Sequence, residues 1–170
     1  MTIHSGHPFR DPEPDPVRRL RGRLGGVVTL WTAGDGEQRA GLTVSSLMVA
    51  NGEPARVLAL LDPDSDLADV LAGTGRAVVQ LLAWEHRDLA EAFAGTAPAP
   101  GGPFRTGDFE QTAWGPRLLG AHTWAGVVLE STSTVGWSSL VTCVVDEVSV
   151  GDDEAAPLVH RRGRYVRPTD

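Results

Sequence analysis

Along most of this chain, apolar side chains alternate with small or polar ones or gather in short β-branched runs; helical spacing is confined to three short stretches. Val27 to Thr32 is β-branched or aromatic and predicts a strand. Gly34-Asp35-Gly36 predicts a hairpin turn, and the chain returns through Ala40 into Gly41-Leu42-Thr43-Val44-Ser45-Ser46-Leu47-Met48-Val49-Ala50. The cluster Asn51-Gly52-Glu53-Pro54 closes that segment, and the run Arg56 to Leu61 predicts the next strand. Further strands are predicted over Ala77 to Leu82, Thr123 to Thr134 and Ser138 to Val150, the last two joined at Val135-Gly136-Trp137.

The helical stretches carry their own start and stop signals. Asp15-Pro16 is an N-cap with proline at the first helical position, Val17, Leu20 and Leu24 follow, and Gly25-Gly26 ends the helix. Its arginines, Arg18, Arg19, Arg21 and Arg23, read as a solvated face. Asp62-Pro63-Asp64-Ser65 closes a strand and offers a cap to a helix through Leu67, Val70 and Leu71, which Gly73-Thr74-Gly75 ends. A third helix runs from about His86 to Ala94, with Leu89, Ala90 and Phe93 inward and His86 expected in an exposed first turn. Residues 95–107, rich in Pro, Gly and Ala, read as a mobile loop too short to link domains. Six or seven strands with short helices predict a mainly β fold, a closed antiparallel barrel with helices at its rim.

The chain has 170 residues, enough for one domain without metal or disulfide staples. Residues 1–14 read as a flexible arm and 15–170 as a single domain; His4 and His7 lack companion ligands, so no metal site is expected. The net charge of −7 argues against a nucleic-acid scaffold. Cys143 stands alone among Val141, Val144 and Val145, so it reads as a buried structural thiol. Asp152-Asp153-Glu154 reads as a solvated turn. No apolar run spans a bilayer and no secretory leader is present, so a soluble cytoplasmic protein is the expectation.

Several chemistries are excluded by pattern. There is no Gly-x-Ser-x-Gly elbow with a histidine in a partner context, no Gly-x-Gly-x-x-Gly and no P-loop. Asp62 and Asp64 are better explained as turn and cap residues than as an acid–base pair. What remains is the run Thr43-Val44-Ser45-Ser46, whose small hydroxyls and backbone amides at a strand end suit a flat, polar, phosphate-bearing ligand. The tryptophans at 31, 84, 114, 124 and 137 could stack on such a ligand, although packing is the commoner use of the indole. Read this way, the residues define a small barrel with a pocket and no reaction.

Five motifs in order reach further. Val27-Val28-Thr29 leads into Gly41-Leu42-Thr43-Val44-Ser45-Ser46; Pro54 and Ser65 follow; then come Gly75-Arg76-Ala77-Val78-Val79-Gln80-Leu81-Leu82, Leu89 to Gly95, and Pro157-Leu158-Val159-His160-Arg161-Arg162-Gly163-Arg164-Tyr165. In this order the chain resembles the flavin reductase-like family over about Leu24 to Arg167. The resemblance implies an antiparallel Greek-key split β-barrel with short peripheral helices. It implies a homodimer with flavin near the subunit interface, and NAD(P)H-dependent reduction of FMN or FAD, with NADH or NADPH as donor and a monooxygenase as partner. It places flavin against Thr43, Val44, Ser45 and Ser46, with backbone contacts from Ala50 and Asn51, Ser65 approaching the phosphate, and Arg162 or Tyr165 closing the site; it assigns no catalytic residue. Flavin supplies hydride chemistry, while the protein supplies orientation and access.

Two departures qualify the resemblance. Where many of these reductases carry Gly-Asp-His at the start of the late strand, this chain has Gly136-Trp137-Ser138. The basic residues usual before Ser65 are replaced by Pro63 and Asp64, whose charge would repel a phosphate unless Arg56 or Arg76 offset it. These changes keep open an alternative, a flavin-binding carrier or sensor without nicotinamide turnover.

Overall fold

The computed structural model describes residues 15–152 and 155–168. The expected arm (1–14), and Asp153 and Glu154 of the acidic turn, lie outside the described residues. Helix α1 (Pro16–Leu24) begins as its sequence signals dictate: the Asp15 carboxylate accepts the Val17 N–H at 3.0 Å, and Gly25 ends the helix at φ 66°. Two residues of strand β1 (Gly26–Val27) follow, then β2 (Thr29–Ala33) and β3 (Ala40–Val44), paired antiparallel. After Ser45-Ser46 come β4 (Leu47–Ala50) and β5 (Arg56–Leu61), helix α2 (Asp66–Thr74) and β6 (Arg76–Leu81). Helix α3 (Arg87–Phe93), the short strands β7 (Phe109–Gln111) and β8 (Pro116–Leu118), and the long pair β9 (Trp124–Val135) and β10 (Ser138–Ser149) complete the body. A C-terminal hairpin, β11 (Val159–Arg161) and β12 (Arg164–Val166), adds to β1.

The main sheet has seven strands in the order β3-β2-β6-β9-β10-β5-β4, all neighbours antiparallel. Consecutive strands β3 and β4 therefore occupy its two opposite edges, linked by two residues. A link from Val44 to Leu47 spans at most about 11 Å, so the sheet must curl until its edges nearly meet. The barrel is split there, not closed as the alternation alone predicted, and Ser45-Ser46 bridges the gap. That is the split barrel the resemblance implied.

Strand β2 is buried on both faces and divides two cores. Inside the curl, Trp31 packs with Val57, Ala59, Leu61, Val79, Val127, Val141 and Cys143, and α2 plugs one opening with Leu67 and Leu71. Ser65 caps α2 by accepting the Ala68 N–H at 3.2 Å, and Gly75 ends it in the left-handed region at φ 71°, where a side chain would be strained. On the other face of β2, Val28 and Leu30 meet Leu82, Leu118, Leu158 and Leu89, Ala90 and Phe93 of α3. Gln80 ties the layers together: its amide donates to Thr32 Oγ1 at 3.1 Å, and its carbonyl accepts the Leu118 N–H.

Two expectations change. Residues 95–107 contain a 3₁₀ turn whose Phe104 packs edge-on against Phe93 and Phe109, with centroids 4.9 and 5.0 Å away, so the segment is anchored to the second core. His86 is only 14% exposed at its side chain, because its Nδ1 turns inward to accept the Ala83 N–H at 3.0 Å. Cys143 is fully buried as expected, and burial, with the nearby Glu130 charge, pushes its thiol up to about 12. Among the described residues no helix is long and apolar enough to cross a membrane.

Candidate functional site

The bridge across the split brings the predicted hydroxyl run to one end of the barrel. Thr43 donates its hydroxyl to the Ala90 carbonyl of α3 at 2.6 Å, and the Val44 carbonyl accepts the Thr29 hydroxyl at 2.6 Å. Ser46 donates to the Leu60 carbonyl at 2.8 Å, while its own carbonyl accepts the Leu60 N–H at 2.9 Å. These bonds fix the bridge backbone. Ser45 and Ser46 are both exposed, and Ser45 is the exposed point of the bridge nearest β1.

Ser65 lies at the same end. Leu60 pairs with Ser46, β5 ends at Leu61, and the Ser65 hydroxyl donates to the Asp62 carbonyl at 2.7 Å. The β9–β10 turn arrives beside it, since Ser139 pairs with Leu61 and Ser138 with Val135. Trp137 at that turn is 81% exposed, whereas Trp31 is in the core and Trp84, Trp114 and Trp124 are half-buried. Of the five tryptophans, Trp137 is the most exposed. Ala50 and Asn51 are not gathered here: β4 carries Ala50 about 13 Å from Ser46 at 3.3 Å per residue, and Asn51 follows beyond the end of the strand.

The C-terminal hairpin approaches from the other side. Gly26 pairs with His160, and His160 pairs with Tyr165, so all three share one face of the small sheet. A Cβ on Gly26 would fall 2.8 Å from the Ser45 carbonyl oxygen, so that face looks onto Ser45. The His160 and Tyr165 rings meet edge to face at 5.6 Å. Burial, then the Arg21 charge, lowers the His160 pKa; burial, then Glu91, raises that of Tyr165. Arg162 forms the hairpin turn at φ 53°, its N–H donating to the Gly22 carbonyl of α1 at 2.8 Å. His160 carried no signal in the sequence beyond its place in the C-terminal motif.

Neither arginine offered as an offset to Asp64 reaches it. Arg56 sits at the far end of β5, where it forms a two-pronged ion pair with Glu130 at 2.7 and 2.8 Å. Arg76 follows the C-terminal end of α2 and donates to the Ala113 carbonyl at 3.3 Å. Among the described residues no cluster of His, Cys, Asp or Glu could hold a metal.

A flavin fits this arrangement. Ser45 and Ser46 are exposed at the split, Gly26 packs its backbone against the Ser45 carbonyl without a side chain between them, and Trp137 is exposed at the same end of the barrel. Bound there, flavin would supply a hydride acceptor; the chain's own part is to hold the ring at the bridge, place backbone dipoles beside its polar edge and limit water.

The flavin reductase like domain profile matches residues 21–169. The NADH-dependent FMN reductase AsuE2 of Streptomyces nodosus subsp. asukaensis is 29% identical over 162 residues, covering 94% of this chain and 88% of that protein. The reductase component of 4-hydroxyphenylacetate 3-monooxygenase from Thermus thermophilus is 30% identical over 145 residues, covering 85% and 90%. The fold matches that of flavin reductase PheA2 with a TM-score of 0.81 at 19% identity, over 92% of this chain and 100% of that one. A match over nearly the whole folded body, together with the split barrel and its Ser45-Ser46 bridge, places this chain in the flavin reductase like domain family.

Proposed function

We propose that this protein is an NADH-dependent flavin reductase that releases reduced flavin to a separate monooxygenase. The observation that carries the reading is the Ser45-Ser46 bridge: a fixed, exposed backbone across the split, with Gly26 of the hairpin sheet packed against Ser45 and the exposed Trp137 at the same end of the barrel. Support for the donor and the oxygenase comes from relatives named as an NADH-dependent FMN reductase and as a monooxygenase reductase component. FMN is the flavin these relatives point to first. Cytoplasmic residence follows from the need for NADH.

We further propose that residues 15–170 act as one domain and that two copies pair through the outer face of the sheet. There Met48, Leu58, Leu60, Leu140 and Val144 share one side, Met48 69% and Leu60 40% exposed. Burial of such a face against its copy would bring two bridges close together and shield bound flavin from water.

One observation favours the carrier reading: Trp137, bulky and exposed, stands at the turn where the resemblance places a nicotinamide-binding histidine. Steady-state NADH oxidation separates the two. A reductase consumes NADH only when FMN is added, with a rate that saturates in both; a carrier binds FMN and leaves NADH untouched.

A further inference from the structure

The charge around the bridge is sharply divided. Residues 15–27 and 157–168 carry eight arginines (Arg18, Arg19, Arg21, Arg23, Arg161, Arg162, Arg164 and Arg167) and one carboxylate, Asp15, a net of +7. The chain as a whole carries −7, so everything else sums to −14. The two basic segments are also joined in space. Arg162 N–H donates to Gly22, Arg161 Nε to the Arg23 carbonyl at 3.4 Å, and Gly26 pairs with His160. Arg21 comes near enough to His160 for its charge to be felt there, on the face that looks onto Ser45.

The opposite flank is acidic. Asp62, Asp64, Asp66 and Asp69 surround the first turn of α2, and no basic residue lies between Arg56 and Arg76. Arg56 is paired with Glu130, and both arginines stand at the far ends of their elements. The α2 N-terminus is filled from within: Ser65 accepts the Ala68 N–H, and Asp62 Oδ1 accepts the Asp64 N–H at 2.9 Å. A phosphate approaching Ser65 would meet four carboxylates. One approaching the hairpin would meet guanidinium groups, which suit phosphate oxygens through charge-assisted bonds. Salt leaves a gradient of this size effective over about 8–10 Å.

We infer that the phosphate-bearing end of the bound nucleotide lies on the arginine face formed by α1 and the β11–β12 hairpin, with Arg21 and Arg162 as its nearest cations, and not at the Ser65 turn. This rests on the flavin reading above and assigns an orientation within it. Phosphate chemistry is shared by FMN and by the pyrophosphate of NADH, and the experiment separates them.

The test measures dissociation constants of FMN and of riboflavin, which lacks the phosphate, by flavin fluorescence at low and at high salt. It does so for the native chain, the R21Q/R162Q double variant and D64N. Michaelis constants for NADH and for a dihydronicotinamide without phosphates accompany them. The native chain is expected to prefer FMN to riboflavin, less so at high salt. R21Q/R162Q is expected to lose roughly tenfold in FMN affinity with riboflavin binding unchanged, which also shows the variant is folded. D64N should alter the preference by less than twofold. If instead R21Q/R162Q raises the Michaelis constant for NADH alone, the arginine face serves the pyrophosphate, and the subsite stands with that occupant. If both preferences survive in R21Q/R162Q, the inference is overturned while the flavin reading is kept. If neither flavin binds the native chain, the flavin reading falls and takes the inference with it.

Discussion

Ser46 and Leu60 hold each other through two hydrogen bonds, Leu60 N–H to the Ser46 carbonyl at 2.9 Å and Ser46 Oγ to the Leu60 carbonyl at 2.8 Å. The pair pins the bridge to β5, beside the β4 edge of the split, and occupies the hydroxyl that the sequence offered to flavin. Ser46→Ala is therefore expected to cost about 0.5–1 kcal/mol of stability, a shift of about 2–4 °C in Tm, with FMN affinity changed less than twofold. Thermal unfolding and FMN titration check this together. A large loss of FMN affinity at unchanged Tm would put the hydroxyl on the ligand.

Gly26 is where the bridge and the hairpin sheet touch. A Cβ there would lie 2.8 Å from the backbone oxygen of Ser45, which cannot swing away as a side chain would. Gly26→Ala should displace the bridge, destabilise the fold by about 1–3 kcal/mol and weaken flavin binding. Denaturant unfolding and flavin fluorescence report the two effects; native values for both would show that the contact relaxes freely.

His86 makes the fold sensitive to acid. Burial lowers its pKa, with His122 adding to the effect and Glu85 opposing it, and its Nδ1 must stay unprotonated to accept the Ala83 N–H. The unfolded chain then binds the proton more readily than the folded one. Stability is complete above the ordinary histidine value of about 6.5 and falls as pH drops below it toward the folded pKa. Burial lowers His160 as well, so it adds in the same direction. Urea midpoints between pH 7.5 and 5 should fall, and less steeply in His86→Asn; parallel curves would remove His86 from the effect.

The apolar outer face predicts assembly. Leu60→Asp places a carboxylate on the face that also carries Met48 and Leu140. Sedimentation should give a dimer for the native chain and a single chain for the variant. A native single chain would overturn the pairing.

Much of the local structure was legible because its determinants are local. Asp15-Pro16, Ser65 and Gly75 bound their helices as sequence chemistry requires, and the β9–β10 hairpin formed around Gly136-Trp137. The split was not legible from alternation. The run from Leu42 to Val49 reads as one strand, yet it changes sheet edge at Ser45-Ser46, and only pairing with β2 on one side and β5 on the other decides that. The burial of His86 and the anchoring of Phe104 depend on partners remote in sequence, as does the packing of Tyr165 against the second core. Ala50 and Asn51, adjacent to the site in sequence, are carried away from it by β4.

The central claim is that the bridge holds a flavin which NADH reduces. The most direct test is the visible spectrum of the protein with FMN, recorded without oxygen before and after NADH is added. The reading predicts a perturbed flavin band that bleaches much faster than free FMN does with the same NADH. A band that shifts on binding but stays oxidised would contradict reduction and leave a carrier. A band identical to that of free FMN would contradict the site itself.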